Sequence, residues 1–287
     1  MTDTPRTVAA LRATIADALR GHVADADIEA RELLASLHDA PSSWAVTHAT
    51  RAVSDVEVER ALAAAQRRAR GMPLAYATTR AAFRHLWLHV DPRVLIPRPE
   101  TEQLVDLALA RLPEGGVVAD VGTGSGAIAL SLARESRAAR VLATDLSPDA
   151  LDVARANHAA VTRPDDAPVE FRIGDLCAPL AGEQLDMLVA NPPYVPLDDA
   201  PRLDAGVREW EPSLALFGGD DGTRVVTRLV SEATAVVRPD GWLLVEIDAR
   251  GGAAARAACD GASWHDVTVL ADHFGRDRFL VARRTAR

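Results

Sequence analysis

Short apolar runs alternate with helical segments along the chain from about residue 99 to its end. The predicted strands occupy residues 117–121, 140–145, 169–174, 185–190 and 241–247, and all but 169–174, where apolar and charged residues alternate, are runs rich in Val, Leu, Ile and Ala. Continuous apolar runs of this length are typical of strands that are buried on both faces of a parallel sheet. Residues 102–112 and 127–133 have helical character. The pattern therefore predicts an α/β domain with a mostly parallel sheet.

Two further apolar segments near the end of the chain follow a different pattern. Residues 266–270 and 278–282 have strand character, and no clear helix separates them. Parallel neighbours need a crossover connection, whereas antiparallel neighbours can be joined by a short turn. We therefore expect an antiparallel hairpin at one edge of the sheet.

The first part of the chain has a helical pattern instead. Apolar residues recur every three or four positions from Val8 to Leu19, which predicts a helix. Ser54 and Glu57 have the spacing of a capping box that starts a later helix. Residues 86–90 alternate between apolar and other side chains, which is typical of a β-hairpin. The predicted segments are a helical domain (residues 1–75), a β-hairpin linker (76–98) and an α/β domain (99–287).

Composition and charge narrow the class of protein. The 287 residues are 48% hydrophobic and 25% charged, which is typical of a globular protein. The net charge of −9 argues against a protein that holds nucleic acid mainly through phosphate contacts. Cys177 and Cys259 form neither a metal-ligand nor a disulfide pattern. No run approaches the ~18 apolar residues of a membrane span, so we expect a cytoplasmic protein.

The strongest indication of chemistry is the tetrapeptide after the run at 185–190, which is Asn191-Pro192-Pro193-Tyr194. It lies at the carboxyl end of a predicted strand, where open α/β sheets bind ligands. Two consecutive prolines fix φ and remove two N–H donors, so the backbone is rigid and presents carbonyl acceptors. Together with the Asn191 side-chain oxygen, such a turn can hold one planar –NH2 group, and Tyr194 can supply a flat face. The alternative interpretation is a proline-rich turn without chemistry.

A glycine-rich loop follows the first predicted strand of the α/β domain, with the sequence Gly122-Thr123-Gly124-Ser125-Gly126 after Asp120 and Val121. Strand, glycine-rich turn and helix form the opening of a nucleotide-binding βαβ unit. The spacing is G-x-G-x-G, not the G-x-G-x-x-G of the dinucleotide fingerprint, and many tight turns have a similar sequence. The next strand ends on Asp145, whose carboxylate is placed to accept both ribose hydroxyls of a nucleoside. A helix-capping or solvated acid is the alternative for Asp145.

A third feature is the long connection after the tetrapeptide. Residues 197–222 are rich in Asp, Gly and Pro. Connections of this length inside a compact domain are usually functional. We expect this one to cover the molecule whose –NH2 group the turn at 191–194 holds.

Further stretches accompany these features at residues 73–76, 94–102, 174–176, 195–196, 211–212, 218–222, 246–247 and 275–278. With them, the chain from about residue 70 to its end resembles the bacterial release-factor glutamine methyltransferases, the HemK/PrmC family. The Asn-Pro-Pro-Tyr sequence alone is shared with adenine methyltransferases. Its combination with residues 96–102 and 211–222 is far more specific.

The resemblance implies a class I (Rossmann-like) methyltransferase fold with a seven-stranded, mostly parallel sheet, behind a small helical domain and a β-hairpin linker. It implies methyl transfer from S-adenosyl-L-methionine to the side-chain nitrogen N5 of a protein glutamine, foremost the glutamine of the Gly-Gly-Gln loop of peptide-chain release factors. The product of the donor is S-adenosyl-L-homocysteine, and no metal is expected. The family also implies a monomer that docks its protein substrate with the N-terminal domain and contacts neither nucleic acid nor a membrane.

The same resemblance assigns roles to individual residues. The implied catalytic residues are Asn191, Pro192 and Tyr194, and Pro193 joins them in binding the acceptor. The implied donor-binding residues are Gly122, Thr123, Gly124, Ser125, Gly126, Asp145, Leu176 and Asn191.

The chain departs from the usual family pattern outside these residues. Thr79 and His85 replace two glycines that are common in the hairpin, and Asp248 stands where the family usually has glycine. Gly251 stands near the usual position of a glutamine. None of these positions belongs to the glycine-rich loop or to the Asn-Pro-Pro-Tyr sequence, so the expected type of reaction is unchanged.

Other functions are compatible with parts of the sequence. A relative that methylates a glutamine of a ribosomal protein would share the same motifs. An amino-methyltransferase of adenine N6 or guanine N2 is disfavoured, because an acidic chain with 4% aromatic residues lacks a basic recognition domain. A methyltransferase-fold protein that binds donor or partner without catalysis is disfavoured by the intact residues Gly122, Asp145, Asn191 and Tyr194.

Overall fold

The computed structural model describes residues 6–286, so the first five residues of the predicted helical domain lie outside the described part. The chain divides into two compact units. One unit comprises Met1–Ala82, Trp87–Pro92 and Asp204–Trp210, and the other comprises Phe83–Leu86, Arg93–Leu203 and Glu211–Arg287.

The regular elements are as follows. The helices are α1 (Val8–Leu19), α2 (Ala26–Leu37), α3 (Trp44–Thr47), α4 (Asp55–Ala69), α5 (Leu74–Thr78), α6 (Pro99–Leu109), α7 (Ala127–Glu135), α8 (Pro148–Val161), α9 (Ala205–Trp210), α10 (Ser213–Leu216), α11 (Arg224–Ala233) and α12 (Gly252–Ala258). The strands are β1 (Arg80–Phe83), β2 (Leu86–His89), β3 (Val117–Val121), β4 (Arg140–Asp145), β5 (Val169–Ile173), β6 (Leu185–Ala190), β7 (Val237–Glu246), β8 (Trp264–Ala271) and β9 (Asp277–Arg284). Short 3₁₀ helices occupy Ala178–Leu180 and Leu197–Arg202.

The first unit is built around helices with one apolar face each. In α1, the residues that the spacing marks as apolar are buried, and they pack with Leu33 and Leu34 of α2 and with Ala61 of α4. The capping box at the start of α4 forms as predicted, because the Ser54 hydroxyl accepts from the Glu57 N–H and the Glu57 carboxylate accepts from the Ser54 N–H. These helices therefore have a core of their own.

Thr79 shows why the hairpin position favours glycine. It follows α5 with a φ of 59°. This left-handed conformation costs a β-branched residue more than it costs glycine. Thr79 therefore adopts this conformation at a greater cost than glycine would.

The second unit contains a seven-stranded sheet with the order β5-β4-β3-β6-β7-β9-β8. Strands β5, β4, β3, β6 and β7 are parallel, and β9 is antiparallel to both β7 and β8. The predicted α/β fold with a mostly parallel seven-stranded sheet and an antiparallel hairpin at its edge is confirmed. All six residues of β6 are buried, because helices cover both faces of a parallel sheet.

Several element boundaries differ from those predicted. Strand β7 begins at Val237 and not at residue 241, because its first residues include the exposed positions 238–240 and Asp240 has a φ of 63°. Helix α6 begins at Pro99, where a proline at the first helical position needs no N–H partner. The connection 197–222 was expected as an irregular loop, but it contains a 3₁₀ helix, α9 and α10.

No helix within residues 6–286 combines the length and the apolar character that crossing a bilayer requires.

Substitutions at the centre of the sheet should reduce the stability of the second unit strongly. Leu188 of β6 is fully buried, whereas Leu197 after the strand is about half exposed. We expect Leu188→Ala to lower the free energy of unfolding by about 2–5 kcal/mol, because the cavity cannot collapse between two helical layers. Leu197→Ala should leave it nearly unchanged. Urea denaturation of both variants checks this, and equal effects would contradict the assignment of β6 to the core.

Candidate active site

The register of four parallel strands lines up the residues that follow them. Val121 of β3 pairs with Thr144 of β4 on one side and with Ala190 of β6 on the other. Ala190 in turn pairs with Val245 of β7. The next residue of each strand therefore lies at the same edge of the sheet, in the order Asp145, Gly122, Asn191 and Glu246. The strand order reverses between β3 and β6, which is where open α/β sheets bind their ligands.

The glycine-rich loop turns tightly at the end of β3. Gly122, Gly124 and Gly126 have φ values of 77°, 54° and 85°, which glycine adopts at little cost. The Gly124 N–H donates to Asp145 Oδ2 over 2.8 Å, and the Ser147 N–H donates to Asp145 Oδ1 over 2.9 Å. Burial raises the pKa of Asp145, and these backbone donors act in the opposite direction. The loop and the carboxylate thus hold one another in place.

Asp120, the residue before the end of β3, is fully buried under the loop. Its Oδ2 accepts from the Thr123 hydroxyl over 2.7 Å and from the Ala129 N–H over 3.1 Å. Burial raises the pKa of Asp120 to about 7. Its Oδ1 accepts no hydrogen bond from any residue between 6 and 286, so an unpaired acceptor remains beside the glycine-rich loop.

A cavity of about 360 Å³ lies at this edge, which is within the ~300–1,000 Å³ of small-molecule sites. Its lining includes the predicted residues Gly122, Thr123, Gly124, Ser125, Asp145, Leu176, Asn191 and Pro193. Apolar side chains such as Leu146, Leu214 and Phe217 contribute further lining. A glycine-rich backbone, a carboxylate and apolar walls fit a nucleoside with a charged or polar extension.

Three of the predicted site residues do not line this cavity. Gly126 precedes α7 and faces Leu130, because a Cβ on it would lie 3.1 Å from that side chain. Pro192 is buried. Tyr194 lines a neighbouring cavity of about 270 Å³ together with residues that include Ile247, Asp248 and Gly251. The sequence Asn-Pro-Pro-Tyr therefore contributes to two cavities.

The side chains of this turn are held by a connected set of hydrogen bonds. Asn191 Nδ2 donates to Thr101 Oγ1 over 3.0 Å, and that hydroxyl donates to Glu246 Oε2 over 2.8 Å. The Tyr194 hydroxyl donates to Glu246 Oε1 over 3.0 Å. Asn191 Oδ1 receives no hydrogen bond in the described part of the chain. Of the two polar side-chain atoms of Asn191, Oδ1 is the one that stays available to a ligand.

Glu246 is 1% exposed and Thr101 is 4% exposed, so this set of hydrogen bonds is shielded from water. Burial raises the pKa of Glu246, while the Thr101 and Tyr194 hydroxyls and the charge of Arg278 act in the opposite direction. Burial also raises the pKa of Tyr194, so its hydroxyl stays protonated and donates. No local sequence pattern predicts a role for Thr101 or Glu246, although both lie in stretches that carry the family resemblance.

The connection after the turn lies against its backbone. A Cβ on Gly222 would lie 2.2 Å from the Tyr194 carbonyl oxygen, and one on Gly218 would lie 2.5 Å from the Pro193 carbonyl oxygen. Val195 N–H donates to the Leu216 carbonyl, and Gly218 N–H donates back to the Val195 carbonyl. Close backbone packing of this kind explains why stretch 218–222 is rich in glycine.

Glu211 links the same connection to the segment before α6. Its carboxylate accepts from Arg98 Nη2 over 2.6 Å and from the Ile96 N–H over 3.2 Å. Its side chain is 1% exposed. Because Arg98 also lines the larger cavity, Glu211 holds part of the cavity wall. Its place in the sequence, between two short helices, carries no local sign of this contact.

Two family models match the chain. Residues 101–201 match the methyltransferase small domain, and residues 10–78 match the PrmC N-terminal domain.

Several curated relatives share the name release factor glutamine methyltransferase. The one from Xylella fastidiosa is 41% identical over 258 residues, which cover 89% of this chain and 92% of that protein. The one from Moorella thermoacetica is 47% identical over 225 residues, which cover 77% of this chain and 78% of that protein. The one from Salmonella typhimurium is 39% identical over 238 residues, with coverage of 81% and 83%.

Among solved structures, a methyltransferase from Pyrococcus furiosus superposes with a TM-score of 0.53 at 17% identity, over 69% of this chain and 89% of that chain. At this identity the likeness concerns the fold alone.

The contact between Gly222 and the turn predicts a strong effect of a single methyl group. Gly222→Ala would place a Cβ against the Tyr194 carbonyl at a φ of 75°. The positive φ alone should lower the free energy of unfolding by about 1–3 kcal/mol, and the steric conflict adds to that loss. Gly261→Ala is the matched control, since a Cβ there meets nothing within 4 Å. Urea denaturation should separate the two variants, and equal stability would contradict the close packing of the connection on the turn.

Proposed function

This chain belongs to the release factor glutamine methyltransferase family, and from that premise we propose that it methylates N5 of a glutamine in a peptide-chain release factor, with S-adenosyl-L-methionine as donor. The acceptor is the glutamine of the Gly-Gly-Gln loop. One observation carries the proposal: Asn191, whose Oδ1 has no protein partner among the described residues, lies on the same cavity as the glycine-rich loop and Asp145.

The donor would be held by residues at the ends of β3 and β4. The Asp145 carboxylate accepts the ribose hydroxyls, and the backbone of Gly122 and Gly124 approaches the donor closely. Leu176 contributes an apolar wall. Bound S-adenosyl-L-methionine supplies an electrophilic methyl group on a sulfonium that becomes neutral on transfer.

The acceptor nitrogen is a poor nucleophile, because its lone pair is delocalised into the amide carbonyl. Asn191 Oδ1 accepts a hydrogen bond from one of its N–H groups, and the carbonyl of Pro192, whose ring is buried but which joins the cavity-lining residues Asn191 and Pro193, accepts from the other. These acceptors orient the nitrogen and favour the pyramidal, partly positive geometry of attack. Alignment in a pocket with apolar walls supplies much of the acceleration.

The proton chemistry of this mechanism is modest. The cavity lining at residues 83–228 contains no His and no Cys. The acceptor nitrogen gives up one proton to water as it gains the methyl group, because a protonated amide nitrogen is strongly acidic, and the electron pair of the broken C–S bond stays on the neutral sulfur. Neither a strong base, a nucleophilic side chain nor a metal ion therefore has a role in the proposal.

Three segments divide the work in this proposal. Residues 1–75 form a helical domain that docks the release factor, residues 76–98 form a hairpin linker, and residues 99–287 form the methyltransferase domain. The protein acts as a monomer in the cytoplasm, without direct contact to nucleic acid or membrane.

Asp145 gives a test of the donor site. Asp145→Ala removes a charged acceptor of two ribose hydroxyls, each hydrogen bond being worth roughly 1.5–3 kcal/mol, so the Kd for S-adenosyl-L-methionine should rise at least tenfold. Asp149→Ala is the matched control, because this exposed carboxylate in the first turn of α8 does not line the cavity. Calorimetry of both folded variants provides the measurement. Unchanged donor binding by Asp145→Ala would remove Asp145 from the ribose site.

Asn191 gives the test of the acceptor site. Asn191→Ala keeps both prolines that shape the turn, but it removes one of the two acceptors on the reactive nitrogen. The single-turnover rate should fall about 10²–10³-fold, as it does when a donor of an oxyanion hole is lost. The assay uses labelled donor and a release factor with an intact Gly-Gly-Gln loop.

A release factor with Gly-Gly-Ala in that loop is the control for the acceptor. Near-normal transfer by Asn191→Ala would refute the amide clamp. Equal labelling of the control factor would show that another residue is the acceptor, and transfer to ribosomal proteins or DNA in parallel assays would reveal a different substrate class.

A further inference from the structure

The Asn191 side chain can face the cavity in two ways, with either its oxygen or its nitrogen toward the ligand. The two orientations have nearly the same shape but opposite hydrogen-bonding character. Only the orientation with Oδ1 toward the cavity can accept from an amide –NH2 group. A neighbouring group of the protein therefore has to fix the Asn191 amide in this orientation.

The selection can be traced to Glu246. The Thr101 hydroxyl donates its single proton to Glu246 Oε2. The Tyr194 hydroxyl occupies the other carboxylate oxygen in the same way. Thr101 Oγ1 then has only lone pairs to offer to its other neighbour. That neighbour is Asn191, which must turn its Nδ2 toward Thr101 and its Oδ1 away from it.

The three groups come from distant parts of the chain. Thr101 lies in the first turn of α6, Asn191 follows β6, and Glu246 ends β7. The hydrogen bond between Thr101 and Glu246 spans 145 positions of sequence. A buried carboxylate contributes less to stability than an apolar residue of similar volume would. Its presence beside the turn is better explained by the orientation that it imposes.

We propose that Glu246 and Thr101 are positioning residues that fix the Asn191 amide with its oxygen toward the acceptor. The proposal rests on the proposed function, because it assigns to Asn191 Oδ1 the task of holding the substrate nitrogen. Glu246 accepts the proton of the Thr101 hydroxyl, so the Thr101 oxygen can only accept from Asn191 Nδ2. This leaves Asn191 Oδ1 facing the acceptor. Neither residue needs to touch the acceptor.

Removal of the Thr101 hydroxyl tests the proposal by activity. Thr101→Val has almost the same shape but leaves Asn191 Nδ2 without its acceptor. The single-turnover rate of methyl transfer to the release factor should fall roughly 10- to 100-fold, as expected for a misplaced contact to the reacting group, with the donor Kd unchanged. Thr101→Ser keeps the hydroxyl and should recover most of the rate. Thr101→Ala serves as a second hydroxyl-free variant if valine disturbs the helix.

A double-mutant cycle separates positioning from a general structural role. If Thr101 acts through Asn191, then Thr101→Val in the Asn191→Ala background should lower the rate less than about twofold, because the two losses are coupled. Additive losses in the double variant would overturn the proposal, since Thr101 would then act by another route.

A spectroscopic readout makes the test independent of activity. The side-chain –NH2 signals of Asn191 can be assigned in a ¹H–¹⁵N spectrum by their loss in Asn191→Ala. They should shift in Thr101→Val and Thr101→Ala and stay near their original position in Thr101→Ser. Unchanged signals in the hydroxyl-free variants would overturn the proposal.

The two proposals fail in distinguishable ways. If the unmodified protein labels no glutamine, the proposed function fails, whatever the signals of Asn191 show. If it labels the glutamine and Asn191→Ala is impaired, but Thr101→Val transfers methyl groups at the normal rate, only the positioning role fails.

Discussion

The in-register pairing of β4, β3, β6 and β7 is the constraint on which the site depends. Because each strand is parallel to its neighbour, a residue that ends one strand lies beside the residue that ends the next. Asp145, Asn191 and Glu246 are far apart in sequence, yet the sheet places them along one edge. A shift of one strand by a single residue would turn every side chain of that strand to the opposite face. The buried, apolar strands therefore set the positions of the polar residues at or directly after their carboxyl ends.

The Asn-Pro-Pro-Tyr turn is rigid for two separate reasons. Its prolines restrict the backbone from within, since each has a fixed φ. Gly218 and Gly222 restrict it from outside, because their backbone lies directly against the carbonyl groups of Pro193 and Tyr194. A turn held in this way needs little reorganisation when a substrate amide arrives, which is the condition for electrostatic preorganisation. The connection that follows the turn thus acts as a support for it.

Local sequence patterns were sufficient for the fold and for the placement of residues at the carboxyl edge of the sheet. The apolar runs located the parallel strands, and Asp145 and Asn191 lie at this edge because the first ends such a run and the second follows one. The start of β7 was missed, since exposed polar residues and a left-handed Asp240 interrupt the apolar pattern. Glu246 and Thr101 received no role, because their significance arises from a contact across 145 positions that no local pattern contains. The split of the Asn-Pro-Pro-Tyr sequence between two cavities also depends on tertiary packing.

Buried acids mark the places where this protein departs from what stability alone would favour. Asp120, Glu211 and Glu246 are all nearly inaccessible to water, and replacement of buried ionic groups by apolar residues of similar volume is often neutral or stabilising in proteins. Each carboxylate instead joins backbone or side-chain donors from separate elements at the carboxyl edge of the sheet. The interior of β6, only a few ångströms away, is almost entirely apolar. Asp186, near the amino end of β6, is also buried, and it accepts from the Val117 N–H there. Buried acids at the carboxyl edge are the expected outcome when the geometry of that edge limits the function.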